Sequence, residues 1–225
     1  MAALAAEKLP ETDAVAPSSE PIEPAGGPNP PPTGQNAPAV EAAFEAVPPE
    51  MVAEIIDGQL HTMSRPGLRH GRAAIDLGST LYSSFAKGIG GPGGWVIIIE
   101  PEIHLGPGPD KLVPDLAGWH LQRFPVISED EDPVHIDVAP DWVCEILSPS
   151  TEVRDRIKKM RIYRREGVKH AWLIHPRNHT LEVYRLENGF WLQLGMFEGD
   201  QMVRVEPFEA IELDLKTLWG PRRPA

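Results

Sequence analysis

Apolar and polar positions along this chain predict a hairpin, a helix, three strands, a second helix, a strand and a closing hairpin, in that order. Asp57-Gly58 separates the β-prone runs Glu54-Ile55-Ile56 and Gln59 to Met63, and both turn residues tolerate the positive φ of a tight hairpin. Ala74, Leu77, Leu81 and Phe85 recur at helical spacing, which predicts a helix over 67–87 with those four on its buried stripe. Trp95 to Ile99 is continuously apolar and predicts a strand running on to about Leu105. Gly106 to Asp110 reads as a turn and Leu112 to Trp119 as a second strand. Residues 121–140, acidic and punctuated by proline, read as a surface loop. Asp141 to Leu147 is apolar at nearly every position, as a central strand covered on both faces would be. Ser148, Ser150 and Thr151 offer hydroxyl caps for a helix over 152–166, which Gly167 is placed to end. Strands over 168–174, 180–186 and 190–197 follow, the last two joined through Asn188-Gly189. A short strand near 201–206 and a terminal turn at Trp219 complete the pattern.

The first 45 residues do not share it. They are rich in alanine, proline and glutamate, with too little apolar surface to offset the entropy of ordering, so residues 1–45 read as a disordered tail before a domain at 46–220. Charge divides the same way: residues 1–50 carry −7 of the chain's formal −12. The mildly acidic remainder weighs against a nonspecific polyanion binder. Cys144 is the only cysteine, which excludes an intrachain disulfide and a cysteine-rich zinc site. No apolar run reaches the length of a membrane span, and no basic region precedes an apolar core at the N-terminus, so the expected setting is cytoplasmic and away from membranes.

Two acids change this picture. Asp115 sits in Val113-Pro114-Asp115-Leu116-Ala117 and Glu145 in Trp142-Val143-Cys144-Glu145-Ile146-Leu147, both apolar strand contexts. A carboxylate there costs several kcal/mol unless it is paired or binds a metal. One such acid is as readily a structural hydrogen-bond acceptor. Two in neighbouring strands point to a hard-metal site, because Mg²⁺ takes a couple of carboxylates plus water. Geometry then singles out a lysine. Glu145 lies about 10 Å below the end of its strand, and Lys159 comes back roughly 10 Å along the following helix. Asp155, Lys159 and Tyr163 share one helical face, whereas Lys158 points about 100° away. Lysines on helices are ordinarily solvated; it is this placement beside two acids that marks Lys159.

Pro114-Asp115, Glu145-Ile146-Leu147-Ser148-Pro149-Ser150-Thr151, Asp155 with Lys159 and Tyr163, Gly167-Val168 and Trp172-Leu173-Ile174 together resemble the Uma-type family of restriction endonucleases, within the PD-(D/E)xK nuclease superfamily. The likeness runs from about Glu54 to Trp219. It implies an α/β, restriction-endonuclease-like core: a mixed β-sheet flanked by helices, in the order helix, three strands, helix, strand, with added hairpins. It also implies Mg²⁺- or Mn²⁺-dependent hydrolysis of phosphodiester bonds, with DNA the expected nucleic acid. Asp115, Glu145 and the backbone carbonyl of Ile146 would hold the metal, and Lys159 would orient water or neutralise phosphate. Glu54 and His70 are secondary candidates, the first beside the metal, the second on phosphate.

Two departures stand out. The superfamily's lysine often follows the glutamate by two residues, where this chain has Leu147, so its role passes to Lys159. His175-Pro176 replaces a common Asp-Pro, and His175 reads as a turn residue. Arg154, Arg156 and Lys158 open a basic stretch over 154–169 that could meet a phosphate backbone, although a solvated helix face explains such runs as well. Gly88-x-Gly90-x-x-Gly93 follows a helix and contains Pro92, the wrong setting for a dinucleotide site. His175 and His179 have helical metal spacing but lie across a turn. A nuclease-fold binding module with weak or lost catalysis, or a protein acting through its acidic tail, remains as an alternative. A homodimer is left open.

Overall fold

The computed structural model describes residues 37–220 apart from 109 and 129. The expectation of disorder over residues 1–36 therefore lies outside the described residues. Its end is corrected: Ala37–Glu45 forms helix α1. Pro38 is tolerated in the first turn, where no intrahelical donor is needed. Val40, Phe44 and Val47 are half-buried at helical spacing, and Lys111 reaches both Glu41 (2.5 Å) and the Phe44 ring (4.5 Å).

Strands β1 (Met51–Ile56) and β2 (Gln59–Ser64) form the expected hairpin, with φ 53° at Asp57 and 70° at Gly58. Helix α2 (Leu68–Leu81) runs on through a π-helical turn, Tyr82–Ala86, and its stripe of Ala74, Leu77, Leu81 and Phe85 is buried. The strand expected from Trp95 to Leu105 is instead two. Strand β3 (Trp95–Ile99) ends where Glu100 turns to φ 50° before Pro101, and β4 (Ile103–Leu105) continues in a different sheet. The next strand is also split. Strand β5 (Asp110–Leu112) pairs with β4, and β6 (Leu116–His120) pairs with β3. Pro114, which has no amide hydrogen to donate to a ladder, marks the second break. The two breaks are joined by Glu100 N–H donating to the Asp115 carbonyl at 3.0 Å. Asp115 thus lies at the crossing between sheets, one residue before β6, rather than inside a strand.

Strand β7 (Trp142–Ile146) is followed by a helix that is π-helical over Arg154–Lys159 and α-helical over α3 (Met160–Arg165), ending at Gly167 with φ 75°. Then come β8 (His170–His175), β9 (Thr180–Glu187) and β10 (Phe190–Glu198). Strands β11 (Met202–Val203) and β12 (Leu213–Asp214) pair, and α4 (Lys216–Trp219) closes the domain. The main sheet has the order β10-β9-β8-β7-β6-β3, with only β7 and β8 parallel; β2-β1-β5-β4 form the smaller sheet. The parallel pair requires a crossover, which the 152–165 helix supplies.

The core lies on both faces of the main sheet. Along β7, Trp142, Cys144 and Ile146 pack with α2 and the C-terminal segment, while Val143 and Leu147 pack with Met160, Ile162 and Tyr163. Glu145 belongs by alternation to the second face, beneath the crossover helix. Among the described residues, no helix is long and apolar enough to cross a membrane.

Candidate active site

The pairing of β6 with β7 brings the two strand-associated acids together. Leu116 is opposite Cys144 and Ala117 opposite Val143, so extending that register by one places Asp115 opposite Glu145. Both line a cavity of about 530 Å³ that also takes in His70, Glu100, Asp155, Lys159 and Arg177. Asp115 accepts the Ile146 amide at 2.5 Å and stands 3.0 Å from His70 Nε2. The Ile146 group seen on Asp115 is therefore its N–H.

Lys159 holds the centre. Its ammonium lies 2.8 and 2.9 Å from the two Glu145 oxygens, 2.9 Å from Glu54, 3.3 Å from the Val113 carbonyl and 3.9 Å from Asp155. Lys159 as a whole is 2 % exposed, so this is a buried ionic cluster. The π-helical turn is wide enough that Asp155 and Lys159, four apart, stack on one side of the helix. Such turns are frequent at functional sites. The Tyr163 hydroxyl donates to Glu145 at 2.5 Å from the same side.

Four acids converge here: Glu54, Asp115, Glu145 and Asp155. Against them stand Lys159, Arg154 at 3.5 Å from Glu54, and His70. Burial pushes the Glu145 carboxyl well above its ordinary range, and Asp155, Asp115 and Glu54 add to the rise while Lys159 opposes it. Burial likewise raises Asp155. For Lys159, burial disfavours the charge, but Glu145 and Glu54 outweigh it and hold the ammonium charged far above neutral pH. Burial works against the His70 imidazolium too, and its bond to Asp115 reverses the balance, raising the pKa. One buried oxygen, Glu54 Oε2, accepts no hydrogen bond.

An excess of buried carboxylates, all hard oxygen donors, fits a hard divalent cation. Asp115 and Glu145 are the two of these placed on the cavity wall opposite one another. In the present arrangement Lys159 occupies both Glu145 oxygens, so an ion there would share that carboxylate with the lysine.

Other candidates fall differently. Glu54, read as peripheral, is fully buried in β1, with Oε1 accepting the Val113 amide at 2.9 Å as well as pairing with Lys159. Its sequence signal was available in the alternation of β1, where an acid falls on an apolar face. His70 contacts Asp115 from the first turn of α2. Arg154 lines the cavity, but Arg156 points elsewhere: it grips Glu182 on β9 at 2.6 and 2.9 Å and Glu152 at 3.0 Å. Arg161 pairs with Asp57 and Arg165 with Asp110, so much of the basic stretch is spent on internal ion pairs. Lys158 is half-buried on the His61 side, outside the cluster. His175, expected in a turn, ends β8, where its Nδ1 accepts the Asn178 amide at 3.2 Å.

Comparison with solved structures finds a crystal structure described as a putative nuclease belonging to DUF820 from Anabaena variabilis. It is 24 % identical with a TM-score of 0.65, and the match covers 80 % of this chain and 96 % of that one. At this identity the likeness establishes the fold, a restriction-endonuclease-like mixed sheet flanked by helices. No curated protein matches the sequence. A family model does, over residues 41–216, which takes in the second half of α1 and every element from β1 to β12. The chain belongs to the Uma2 family, described as "putative restriction endonuclease".

Proposed function

We propose that the protein is a divalent-metal-dependent endonuclease that hydrolyses phosphodiester bonds, with DNA as substrate. The observation that carries this reading is the meeting of Asp115 and Glu145 on the wall of one cavity with the Lys159 ammonium beside them. Family membership supports nuclease activity in general.

The carboxylates of Asp115 and Glu145 and the Ile146 carbonyl would hold Mg²⁺ or Mn²⁺. Such an ion supplies Lewis acidity, making water a better nucleophile at neutral pH and offsetting charge that builds on the phosphate. The protein's own groups do the rest. The Ile146 amide and His70 fix the Asp115 carboxylate from two sides, so its orientation needs no reorganisation. Tyr163 and Lys159 do the same for Glu145. Lys159, clamped between Glu54 and Glu145, presents a fixed positive charge to the attacking water or to a phosphate oxygen. Arg154 and Arg177, on the cavity wall, lie where the flanking phosphates of a bound strand would pass. Water adds to phosphorus and gives up a proton, the bond to the leaving oxygen breaks, and that oxygen takes up a proton in turn, so the water's O–H becomes the product alcohol's.

One observation favours the second reading, a binding module with little catalysis: Arg156, Arg161 and Arg165 are tied to Glu182, Asp57 and Asp110 and offer a backbone little free charge. A cleavage assay separates the two. Supercoiled DNA and RNA are incubated with the protein in Mg²⁺, Mn²⁺ or EDTA. Nicking or linearisation of DNA that EDTA abolishes is expected. Metal-independent retention of DNA without cleavage would overturn the enzyme reading in favour of the module.

A further inference from the structure

We propose that Glu102, His104 and His135 form a second metal site, outside the cavity around Glu145, that takes a borderline divalent transition ion of the Zn²⁺ class. One ligand atom from each of the three lies within 4.8 Å of the others. Among the described residues no other three His, Cys, Asp or Glu side chains gather this closely. None of the three lines the cavity that holds Asp115 and Glu145.

The backbone builds this group in advance. Residues 102–104 run parallel to residues 135–137 through a bridge at Ile103 and Ile136. His104 N–H donates to the Ile136 carbonyl at 3.0 Å, and Ile136 N–H donates to the Glu102 carbonyl at 3.0 Å. Ile103 is fully buried, and Ile136 packs on the same core cluster. Because side chains alternate in extended backbone, the residues flanking both isoleucines project together on the opposite side. Those residues are Glu102 and His104 on one segment, His135 and Asp137 on the other. The loop is pinned just beyond them, where Trp119 Nε1 donates to the Val138 carbonyl at 2.8 Å.

The side chains are already in contact. His104 Nε2 is 2.7 Å from Glu102 Oε1, and the His104 and His135 rings stack at 3.8 Å with 8° between their planes. Asp137 Oδ1, mostly exposed, lies 3.5 Å from His135 Nε2, outside the three-residue group, so water would complete the coordination. Ligands about 2.1 Å from a tetrahedral ion stand roughly 3.4 Å apart, so binding draws the three groups together and tilts the two rings out of their parallel stack until both nitrogen lone pairs point at one centre. The His104–Glu102 hydrogen bond then opens, and His104 binds as a neutral imidazole with its proton on the ring nitrogen turned away from the ion. Two imidazoles and a carboxylate suit zinc, whereas Mg²⁺ prefers an all-oxygen set. Bound there, an ion would staple the 121–140 loop to β4.

The test is Zn²⁺ titration calorimetry of the full chain in excess Mg²⁺, on wild type, His135→Ala, Glu102→Gln and Asp115→Asn. The expected result is one Zn²⁺ equivalent in wild type and Asp115→Asn, with affinity down about tenfold or more in the other two. Limited proteolysis provides a second readout: Zn²⁺ should slow cutting within 121–140 in wild type but not in His135→Ala. His135 is half-buried on the loop, so its loss leaves the core packing intact. Absence of Zn²⁺ binding in wild type, unchanged binding in His135→Ala, or loss confined to Asp115→Asn would each overturn the site. Nucleic-acid cleavage is measured separately, so the two proposals stand or fall independently.

Discussion

The Lys159 ammonium is shared between the two oxygens of Glu145, at 2.8 and 2.9 Å, although fourteen residues and a change of secondary structure separate the pair. Both residues are 2 % exposed. A buried ion pair of this kind seldom adds net stability, because desolvating two charges costs about what their attraction returns. Here it is further loaded with Glu54 and Asp155. Such a cluster is better understood as stability given up for a charged site.

That view predicts that Glu145→Gln does not weaken the metal-free fold. The folded-state pKa of Glu145 lies above its unfolded value, so folding favours the protonated form. Its contribution is present at low pH and is lost as pH rises past the ordinary carboxylate range toward the folded pKa. Glutamine keeps an acceptor for Tyr163 and removes the charge, while Lys159 retains Glu54 at 2.9 Å. In EDTA at pH 7, Tm should be unchanged or raised, by up to about 2 kcal/mol of stability. A Tm several degrees lower would mean that the charged pair holds the fold.

Much of this could be read from the chain because the relevant signals are local. The Asp57-Gly58 turn, the 74-77-81-85 stripe and the apolar β7 each follow from a short window. The split of two long strands did not show, because it depends on which sheet each half joins. Only the Pro114 break and Glu100 at φ 50° reveal it, and Trp95 to Leu105 reads as one apolar run. Glu145 and Lys159 could be paired from rise per residue alone. The role of Glu54 could not, since β1 reaches Lys159 through the smaller sheet, a long-range pairing of Ile55 with Lys111. The internal pairing of the basic stretch could not be read for a related reason: its partners Glu182, Asp57 and Asp110 lie on other elements.

Arg156 should therefore matter to stability more than to cleavage. Burial of Glu182 works against its charge, but Arg156 and the Tyr184 hydroxyl outweigh it and hold the carboxyl below its ordinary value. The folded-state pKa is depressed, so this contribution is present above the unfolded value and is lost as pH falls through the folded one. Arg156→Ala should cost about 1–2 kcal/mol at pH 7, the guanidinium being about a third exposed. The penalty should shrink in urea melts carried down through pH 4 toward 3. A pH-independent penalty would assign the loss to packing instead.

Two N-terminal deletions should separate composition from structure. Removing residues 1–36 takes away a segment without apolar periodicity and should leave Tm unchanged. Removing 1–45 also takes α1, with the Glu41–Lys111 pair and the Phe44 ring under the same ammonium. A loss of roughly 1–2 kcal/mol, or a few degrees, is expected. Equal Tm values for the two truncations would show that α1 contributes nothing to the domain.

The sharpest test of the site compares neighbours on one helix. Asp115→Ala removes a carboxylate from the proposed metal pair and should abolish Mg²⁺-dependent cleavage, because one remaining carboxylate holds a weakly binding ion poorly. Lys159→Ala should slow the chemical step by about two or more orders of magnitude. It also leaves Glu145 without its cation and Glu54 with only Arg154, 3.5 Å away, which should cost roughly 3–5 kcal/mol in EDTA. Mg²⁺ should then restore more stability to Lys159→Ala than it adds to wild type, since a cation replaces the missing ammonium. Lys158→Ala, one residue away and outside the cluster, should change neither rate nor Tm appreciably. Single-turnover cleavage at saturating Mg²⁺ and melts with and without the ion provide both readouts. Equal rate losses at Lys158 and Lys159 would reduce the helix to a source of diffuse positive charge. A Lys159→Ala protein whose stability ignores Mg²⁺ would place the ion away from Glu145.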